Sequence, residues 1–169
     1  MGLEPWVVIY LDATAIIEAH VLGIWPALAA RLPLATSAKC LAEVAAGNRP
    51  GGGRVMVDIQ RVRREISIHQ VPPNAVVEAV LAGGFDISSL DPGEKELLAL
   101  VRTKEGAWSI SSQDLGCIRG GNTLGLLDRF VSLEELAKAA GARPRTPFRP
   151  HFTKRWLSEM RTRAILGTL

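Results

Sequence analysis

Four acidic residues lie where the strands and helices of an α/β chain would end or begin. Asp12 follows an apolar run, and Asp114 closes a strand-like run. Glu43 lies in an amphipathic stretch, and Glu94 opens a helix-like segment. Burying a carboxylate without a partner costs several kcal/mol or forces it to take up a proton. If the two strands are parallel neighbours, their carboxylates converge at one sheet edge and repel one another unless a divalent cation lies between them, so the sequence predicts a metal site.

Each acid also has a purely structural interpretation. Asp12 and Asp114 could cap the helices that follow them, and Glu94 could stabilise the positive end of a helix dipole. Glu43 could be a solvated helix residue, and Glu18 is predicted to be a surface charge. The sequence alone leaves both interpretations of the four acids open.

The segments that would position these acids alternate between strands and helices. Such alternation is typical of an α/β fold with a parallel sheet between layers of helices. We expect 1–141 to form one domain and 142–169 to form a proline-rich linker followed by a basic helix. The predicted elements are strand 6–11, helix 13–22, helix 24–31, strand 34–35, helix 37–46, helix 55–64, strand 66–71, helix 74–81, helix 93–101, strand 108–112, helix 115–126, strand 129–131, helix 132–141 and helix 153–166.

Length and composition are those of an ordinary globular protein. The chain has 169 residues, of which 47% are hydrophobic and 22% charged. It has no run of about 20 apolar residues and no basic N-terminal region of a signal peptide, so we expect a cytoplasmic protein with no membrane partner. Cys40 and Cys117 are too few for a disulfide framework or a zinc site of cysteines, and both are expected to be small buried side chains.

The net charge of +3 conceals an uneven distribution. Residues 143–169 carry seven basic side chains and one acidic side chain, whereas the rest of the chain has 13 basic and 16 acidic ones. A basic segment gains free energy by neutralising phosphates and releasing their counterions. The tail therefore suggests a polyanionic partner, with a solvated helix or an oligomer contact as the alternative.

Four segments resemble, in this order, the motifs of PIN-domain ribonucleases, and in particular of the toxin-type, VapC-like members. Segment 8–14 is a strand ending in Asp followed by a small residue and Thr, and segment 38–44 is a helix carrying one Glu. Segment 90–98 contains a Gly-Glu helix start, and segment 110–114 ends in Ser-x-Asp. The order and spacing match over roughly residues 6–140.

The resemblance implies a three-layer α/β/α sandwich with a central, mostly parallel sheet, and an acidic cluster around one or two Mg²⁺ or Mn²⁺ ions. Thr14 and Ser112 would hydrogen-bond carboxylates or phosphate. Asp91 competes with Glu94 as the third acid of the cluster. Carried over by motif, the catalytic and metal-binding residues would be Asp12, Glu43, Glu94 and Asp114.

The implied activity is hydrolysis of phosphodiester bonds in single-stranded RNA, leaving a 5′-phosphate and a 3′-hydroxyl. Mg²⁺ suits this chemistry because it prefers oxygen ligands, lowers the pKa of a bound water and stabilises charge on phosphoryl oxygens. Many stand-alone members are toxins of toxin–antitoxin pairs, so an antitoxin protein and a second copy of the chain in a homodimer are expected partners beside RNA. Candidate phosphate contacts are Arg119, Arg49, Arg54, Lys154, Arg155 and Trp156.

Departures from the motifs keep a second function open. Many members have a second Asp beside Asp114, where this chain has Gln113 and Leu115, and an Asn where it has Ala15. Together with the basic tail, these differences allow a PIN-like regulatory module that binds RNA or a protein without efficient cleavage. A phosphoryl-transfer enzyme or a receiver domain is a weaker alternative, because the chain lacks the Asp-x-Asp-x-Thr motif of one and the acidic pair of the other.

Overall fold

The structure, a computed structural model, describes residues 7–47, 52–84 and 90–169. Arg49 and the first residue of the predicted first strand, Trp6, lie outside these ranges. Within them, every strand pairing is parallel, and Ile9 lies opposite both Leu34 and Ser109. The predicted α/β fold with a parallel sheet is therefore confirmed. The sheet has the order β3-β2-β1-β4, formed by β1 (Val8–Leu11), β2 (Leu34–Ser37), β3 (Ser67–His69) and β4 (Trp108–Ser111).

Helices follow each strand in an arrangement consistent with a three-layer α/β/α sandwich. Among the described residues, no single helix is long and apolar enough to cross a membrane. The bent pair of helices Ala13–Val21 and Trp25–Arg31 reaches the length and apolar composition of a membrane span only when the two are taken together. The helices are α1 (Ala13–Val21), α2 (Trp25–Arg31), α3 (Ala38–Ala46), α4 (Ile59–Glu65), α5 (Pro73–Gly83), α6 (Pro92–Arg102), α7 (Leu115–Thr123), α8 (Leu133–Ala139) and α9 (Lys154–Ile165).

Three helices begin at the carboxyl-terminal edge of the sheet, because α1, α3 and α7 directly follow β1, β2 and β4. The residue at each junction caps the helix. Asp12 Oδ1 accepts a hydrogen bond from Ala13 N, Ser37 Oγ from Cys40 N, and Asp114 Oδ1 from Gly116 N. The predicted capping roles of Asp12 and Asp114 are therefore confirmed. Since the strands are parallel, all three caps lie at one edge, which is where open α/β folds bind ligands.

The predicted strand 129–131 is wrong. Residues Leu127–Arg129 form a short 3-10 helix, and Phe130 makes only an isolated parallel bridge to Ile110. Ser132 already caps α8 by accepting a hydrogen bond from Glu135 N, so the apolar residues before it are too few to extend a strand ladder.

The C-terminal helix shares the hydrophobic core of the preceding residues. Phe152, Leu157 and Met160 are buried in that core, and Asn122 of α7 donates a hydrogen bond to Ala164 O at 3.2 Å. The predicted helix over 153–166 is confirmed as α9. The basic helix α9 is therefore packed against the rest of the protein.

Glu18 is a buried residue of α1, so its predicted place on the surface is wrong. Its side chain is 1% exposed, and it binds Arg149 through two contacts, Oε2 to Nη2 at 2.6 Å and Oε1 to Nε at 3.1 Å. The guanidinium of Arg149 also lies 5.1 Å from the centre of the Phe152 ring. Helical spacing could not reveal this burial, because the cation that compensates the charge lies 131 residues further along the chain.

Candidate functional site

The carboxylates of Asp12, Glu43, Glu94 and Asp114 lie at the carboxyl-terminal edge of the sheet, which we call the acidic edge, and Asp12 lies at its centre. It is 2% exposed, and its Oδ2 accepts hydrogen bonds from Thr14 Oγ1 and Ser112 Oγ, both at 3.0 Å. Its Oδ1 accepts one from Ala13 N at 2.7 Å. Burial raises the pKa of Asp12, and these hydrogen bonds lower it in part. Thr14 and Ser112 thus hydrogen-bond a carboxylate, which is one of the two roles that the resemblance implied for them.

Glu43 reaches the same edge from α3. It is half-buried, and its Oε1 accepts a hydrogen bond from Gly93 N at 2.8 Å, so one of its oxygens is held by the protein rather than by solvent. A side chain at Gly93 would overlap the Glu43 carboxyl group, so glycine is what allows this carboxyl group to lie against the first turn of α6. Burial raises the pKa of Glu43, and Asp12 and Asp91 raise it further.

Cys40 lies between these two acids, a position that the sequence analysis did not assign to the site. Its buried Sγ is 3.8 Å from Asp12 Oδ1 and 3.3 Å from Gly93 O. Asp12, Cys40 and Glu43 each offer one metal-ligand atom, and these atoms all lie within 4.8 Å of one another. Burial, reinforced by Asp12, raises the pKa of the Cys40 thiol well above its usual value. The available signal was the spacing, because residues three apart share one face of a helix.

Glu94 and Asp114 lie beside this group without belonging to it. Glu94 is 4% exposed, and its Oε2 accepts a hydrogen bond from Asp91 N at 3.1 Å. Burial raises the pKa of Glu94 to about 9, with repulsion from Asp114 and then Asp12 adding to the rise. Asp114 is half-buried, and its Oδ1 accepts hydrogen bonds from Gly116 N at 2.6 Å and Cys117 N at 3.2 Å. Each of Asp12, Glu43 and Glu94 thus lies close enough to Asp12 or Asp114 for that neighbour's charge to raise its pKa.

The remaining predicted site residues lie further out. Asp91 is exposed at the start of α6, and Arg119 is exposed on α7. Gln113, which flanks Asp114 in the sequence, is nearly buried, and its Oε1 accepts a hydrogen bond from Thr14 Oγ1 at 3.2 Å. Between Asp91 and Glu94, the competing third acids, Glu94 is therefore the buried one.

Among the described residues, four of the seven cations of the basic tail bind atoms of the protein itself, and one of them is Arg163, which donates a hydrogen bond to Thr168 O at 3.0 Å. Besides Arg149 with Glu18, Lys154 Nζ lies 3.4 Å from Glu135 Oε1. Arg161 donates hydrogen bonds to Leu127 O at 3.0 Å and to Phe130 O. Arg155 is exposed, and no hydrogen bond or ion pair joins its side chain to the described part of the chain. The four bound cations of the tail thus contact acidic side chains and backbone carbonyl groups of the protein itself.

The donor set of the edge suits a hard divalent cation. One oxygen each of Glu43, Glu94 and Asp114 accepts no hydrogen bond from the residues that the structure describes. Within the same ranges, no lysine or arginine forms an ion pair with these three acids or with Asp12. Oxygen ligands with an excess of negative charge are what Mg²⁺ and Mn²⁺ bind.

No family model and no curated protein matches this chain. The proposals below therefore depend on the residues of the chain, on their geometry and on the motif resemblance.

Replacing Glu94 by glutamine is expected to stabilise the metal-free protein increasingly as the pH rises. The folded chain holds a proton on Glu94 up to about pH 9, whereas the unfolded chain loses it near 4.5. Between these values stability falls with rising pH by up to about 1.4 kcal/mol per unit. Glutamine does not titrate and can still accept the Asp91 hydrogen bond, so we expect a gain of about 2 to 3 kcal/mol at pH 7.

Urea unfolding in the presence of a chelator, at pH 5 and pH 8, measures this difference. Glu78→Gln, an exposed change on α5, is the matched control and should alter stability equally at both pH values. A gain from Glu94→Gln that is the same at pH 5 and pH 8 would mean that the folded carboxyl group is not protonated.

Proposed function

We propose that the protein is a divalent-metal-dependent ribonuclease of the PIN-domain kind, acting on single-stranded RNA. The observation that carries the proposal is the convergence of Asp12, Glu43, Glu94 and Asp114 at the carboxyl-terminal edge of a parallel sheet. There Asp114 raises the pKa of Asp12 and of Glu94, and Asp12 raises the pKa of Glu43 and of Glu94. Helix caps alone do not need this convergence. A group of repelling carboxylates is instead a costly arrangement, which a cation would stabilise.

In this proposal Asp12 and Glu43 hold the cation, since their ligand atoms lie within 4.8 Å of each other and Gly93 N already orients Glu43. Thr14 and Ser112 fix the Asp12 carboxylate through their hydroxyl groups. A cation held there would lower the pKa of a bound water and offset charge on the phosphoryl oxygens. Asp114 can accept the proton of the attacking water, because its Oδ2 accepts no hydrogen bond from the described residues.

Glu94 links the charge of the site to the pH. With no cation present it holds a proton at neutral pH, so binding of a cation beside it is expected to release that proton. Arg119, exposed on the helix that Asp114 caps, is the proposed contact to the RNA backbone. Arg155 is the second candidate, because Lys154 already pairs with Glu135.

We expect the purified protein to cleave single-stranded RNA only when a divalent cation is bound. Binding of Mn²⁺ is measured by calorimetry, and cleavage of an end-labelled RNA is measured over the same Mn²⁺ concentrations. The cleavage rate should follow the occupancy of the site, should vanish with a chelator, and should leave a 5′-phosphate. Glu105→Gln, an exposed change outside the acidic edge, is the control and should behave as the unchanged protein.

The second candidate function is a PIN-like module that binds RNA or a partner protein without efficient cleavage. The observation that favours it is the neutral side chain of Gln113 beside Asp114, where many PIN-domain ribonucleases have a second Asp. Its Oε1 accepts a hydrogen bond from Thr14 Oγ1. Saturation with Mn²⁺ and tight binding of RNA without cleavage would support this module and contradict the nuclease.

Three further proposals follow from the resemblance alone. The protein would be the toxin of a toxin–antitoxin pair, it would be silenced by an antitoxin protein, and it would act as a homodimer. A location in the cytoplasm is proposed separately, as the composition of the chain leads us to expect. Growth arrest on expression of the protein, and its absence with Asp12→Asn, would support the first. Sedimentation of the purified chain measures its oligomeric state.

A further inference from the structure

We propose that Cys40 is a specificity-determining ligand, which makes the acidic edge bind thiophilic divalent cations such as Zn²⁺ and Cd²⁺ more tightly than Mg²⁺. The inference rests on the proposed function only in taking Asp12 and Glu43 as ligands of a cation. Zn²⁺ would then occupy the site in place of Mg²⁺ and leave RNA uncut.

The position of the thiol carries this inference. Cys40 Sγ lies 3.8 Å from Asp12 Oδ1, and its ligand-atom distances to Asp12 and Glu43 are within 4.8 Å. Cys40 and Glu43 are three residues apart on α3, so both point toward Asp12 from one helix face. The thiol is fully buried against Gly93 O, so it faces the carboxylates rather than solvent.

The chemistry of the ligands sets the preference. Mg²⁺ requires oxygen ligands in near-octahedral geometry, whereas thiolate with carboxylate favours Zn²⁺ in tetrahedral geometry. With Zn–S at about 2.3 Å and Zn–O at about 2.1 Å, the ligand atoms of such a site lie roughly 3.5 Å apart. The ligand atoms of Asp12, Cys40 and Glu43 now lie within 4.8 Å of one another, so they would need to move closer together by roughly 1 Å to bind Zn²⁺. On binding, the S–H bond is replaced by an S–metal bond and the proton passes to the buffer.

The alternative is that Cys40 is only a small buried side chain. In that case its thiol donates a hydrogen bond to Gly93 O, and serine at this position could make the same bond. Cys117 provides a matched control, since it is also buried and close enough to Asp12, Glu94 and Asp114 to be affected by their charges. Unlike Cys40, it is not a member of the ligand group found among the described residues.

Titration with Cd²⁺ tests the inference through the ultraviolet charge-transfer band of a cadmium–thiolate bond. We expect one equivalent of Cd²⁺ to produce this band in the unchanged protein and in Cys117→Ser, but not in Cys40→Ser. Calorimetry should give a Zn²⁺ affinity about 10- to 100-fold lower for Cys40→Ser, with the Mn²⁺ affinity changed less than about threefold. Asp12→Asn keeps both cysteines and should weaken the band, which provides a test if Cys40→Ser does not fold.

No band in the unchanged protein, or an equal band in Cys40→Ser, would overturn the inference. Its failure is distinguishable from that of the proposed function. A cadmium–thiolate band in a protein that never cleaves RNA leaves the inference standing, and Mn²⁺-dependent cleavage without the band leaves the nuclease standing.

Discussion

Replacing Asp12 by asparagine is expected to lower the rate of Mn²⁺-dependent RNA cleavage by at least about 100-fold. Residues that only support a metal ligand typically contribute 10- to 100-fold to affinity or activity, so the loss of a ligand should exceed that range. Asparagine caps a helix as well as aspartate does, and it can still accept the hydrogen bond from Ala13 N. Structure should therefore persist while the charge is lost. Single-turnover cleavage of a labelled RNA measures the effect.

This substitution separates the two interpretations of Asp12. A residue that only caps α1 predicts unchanged cleavage in Asp12→Asn, whereas a metal ligand predicts the loss. Thermal unfolding of the metal-free variant should occur at or above the temperature of the unchanged protein, because the repulsion of Asp12 with Glu43 and Asp114 is removed. Loss of cleavage together with early unfolding would leave Asp12 a structural residue. Glu105→Gln again serves as the exposed control.

Replacing Arg149 by alanine is expected to lower the free energy of unfolding by about 3 kcal/mol. The change removes the guanidinium that pairs with the buried carboxylate of Glu18, and removing one partner of a buried pair costs about 3 to 5 kcal/mol. We expect a cost at the lower end of this range, because the Arg149 side chain is 26% exposed and water can partly solvate the Glu18 carboxylate in the variant. The unfolding temperature should fall by about 6 to 12 °C. Urea and thermal unfolding measure both quantities.

Two further variants complete the test of this ion pair. Arg155→Ala removes an exposed cation from the same tail and should change stability by less than about 0.5 kcal/mol. Glu18→Leu combined with Arg149→Met removes both charges and should recover much of the loss, because apolar residues often replace a buried pair without cost. Equal destabilisation by Arg149→Ala and Arg155→Ala would contradict the role of the pair.

The acidic edge was predictable because the positions of Asp12 and Asp114 depend only on where their strands end and on the parallel pairing of those strands. A strand that ends in Asp12 or Asp114 and runs directly into a helix places that residue at the carboxyl end of the strand. Parallel pairing then brings the two ends together, as the register of β1 with β4 bears out. The capping pattern at Ser132 was equally readable, because both of its partners lie within four residues.

Features that depend on distant parts of the chain were not predictable. Glu18 was assigned to the surface because helical spacing carries no information about Arg149, which reaches it from the tail. Cys40 was assigned to the core, and it is buried, but its place between Asp12 and Gly93 follows from how α3 meets α6. Residues 129–131 have the composition of a strand, yet the start of α8 leaves them a single bridge.

Gly93 has a consequence for how the protein can diverge. Its missing side chain makes room for the Glu43 carboxyl group, and its amide fixes that group in place. Substitution of Gly93 or of Glu43 removes this contact, so we expect the glycine and the glutamate to be conserved or lost together. In related chains, this glycine–glutamate pair would mark, from sequence alone, those that have retained an anchored carboxylate ready for a cation.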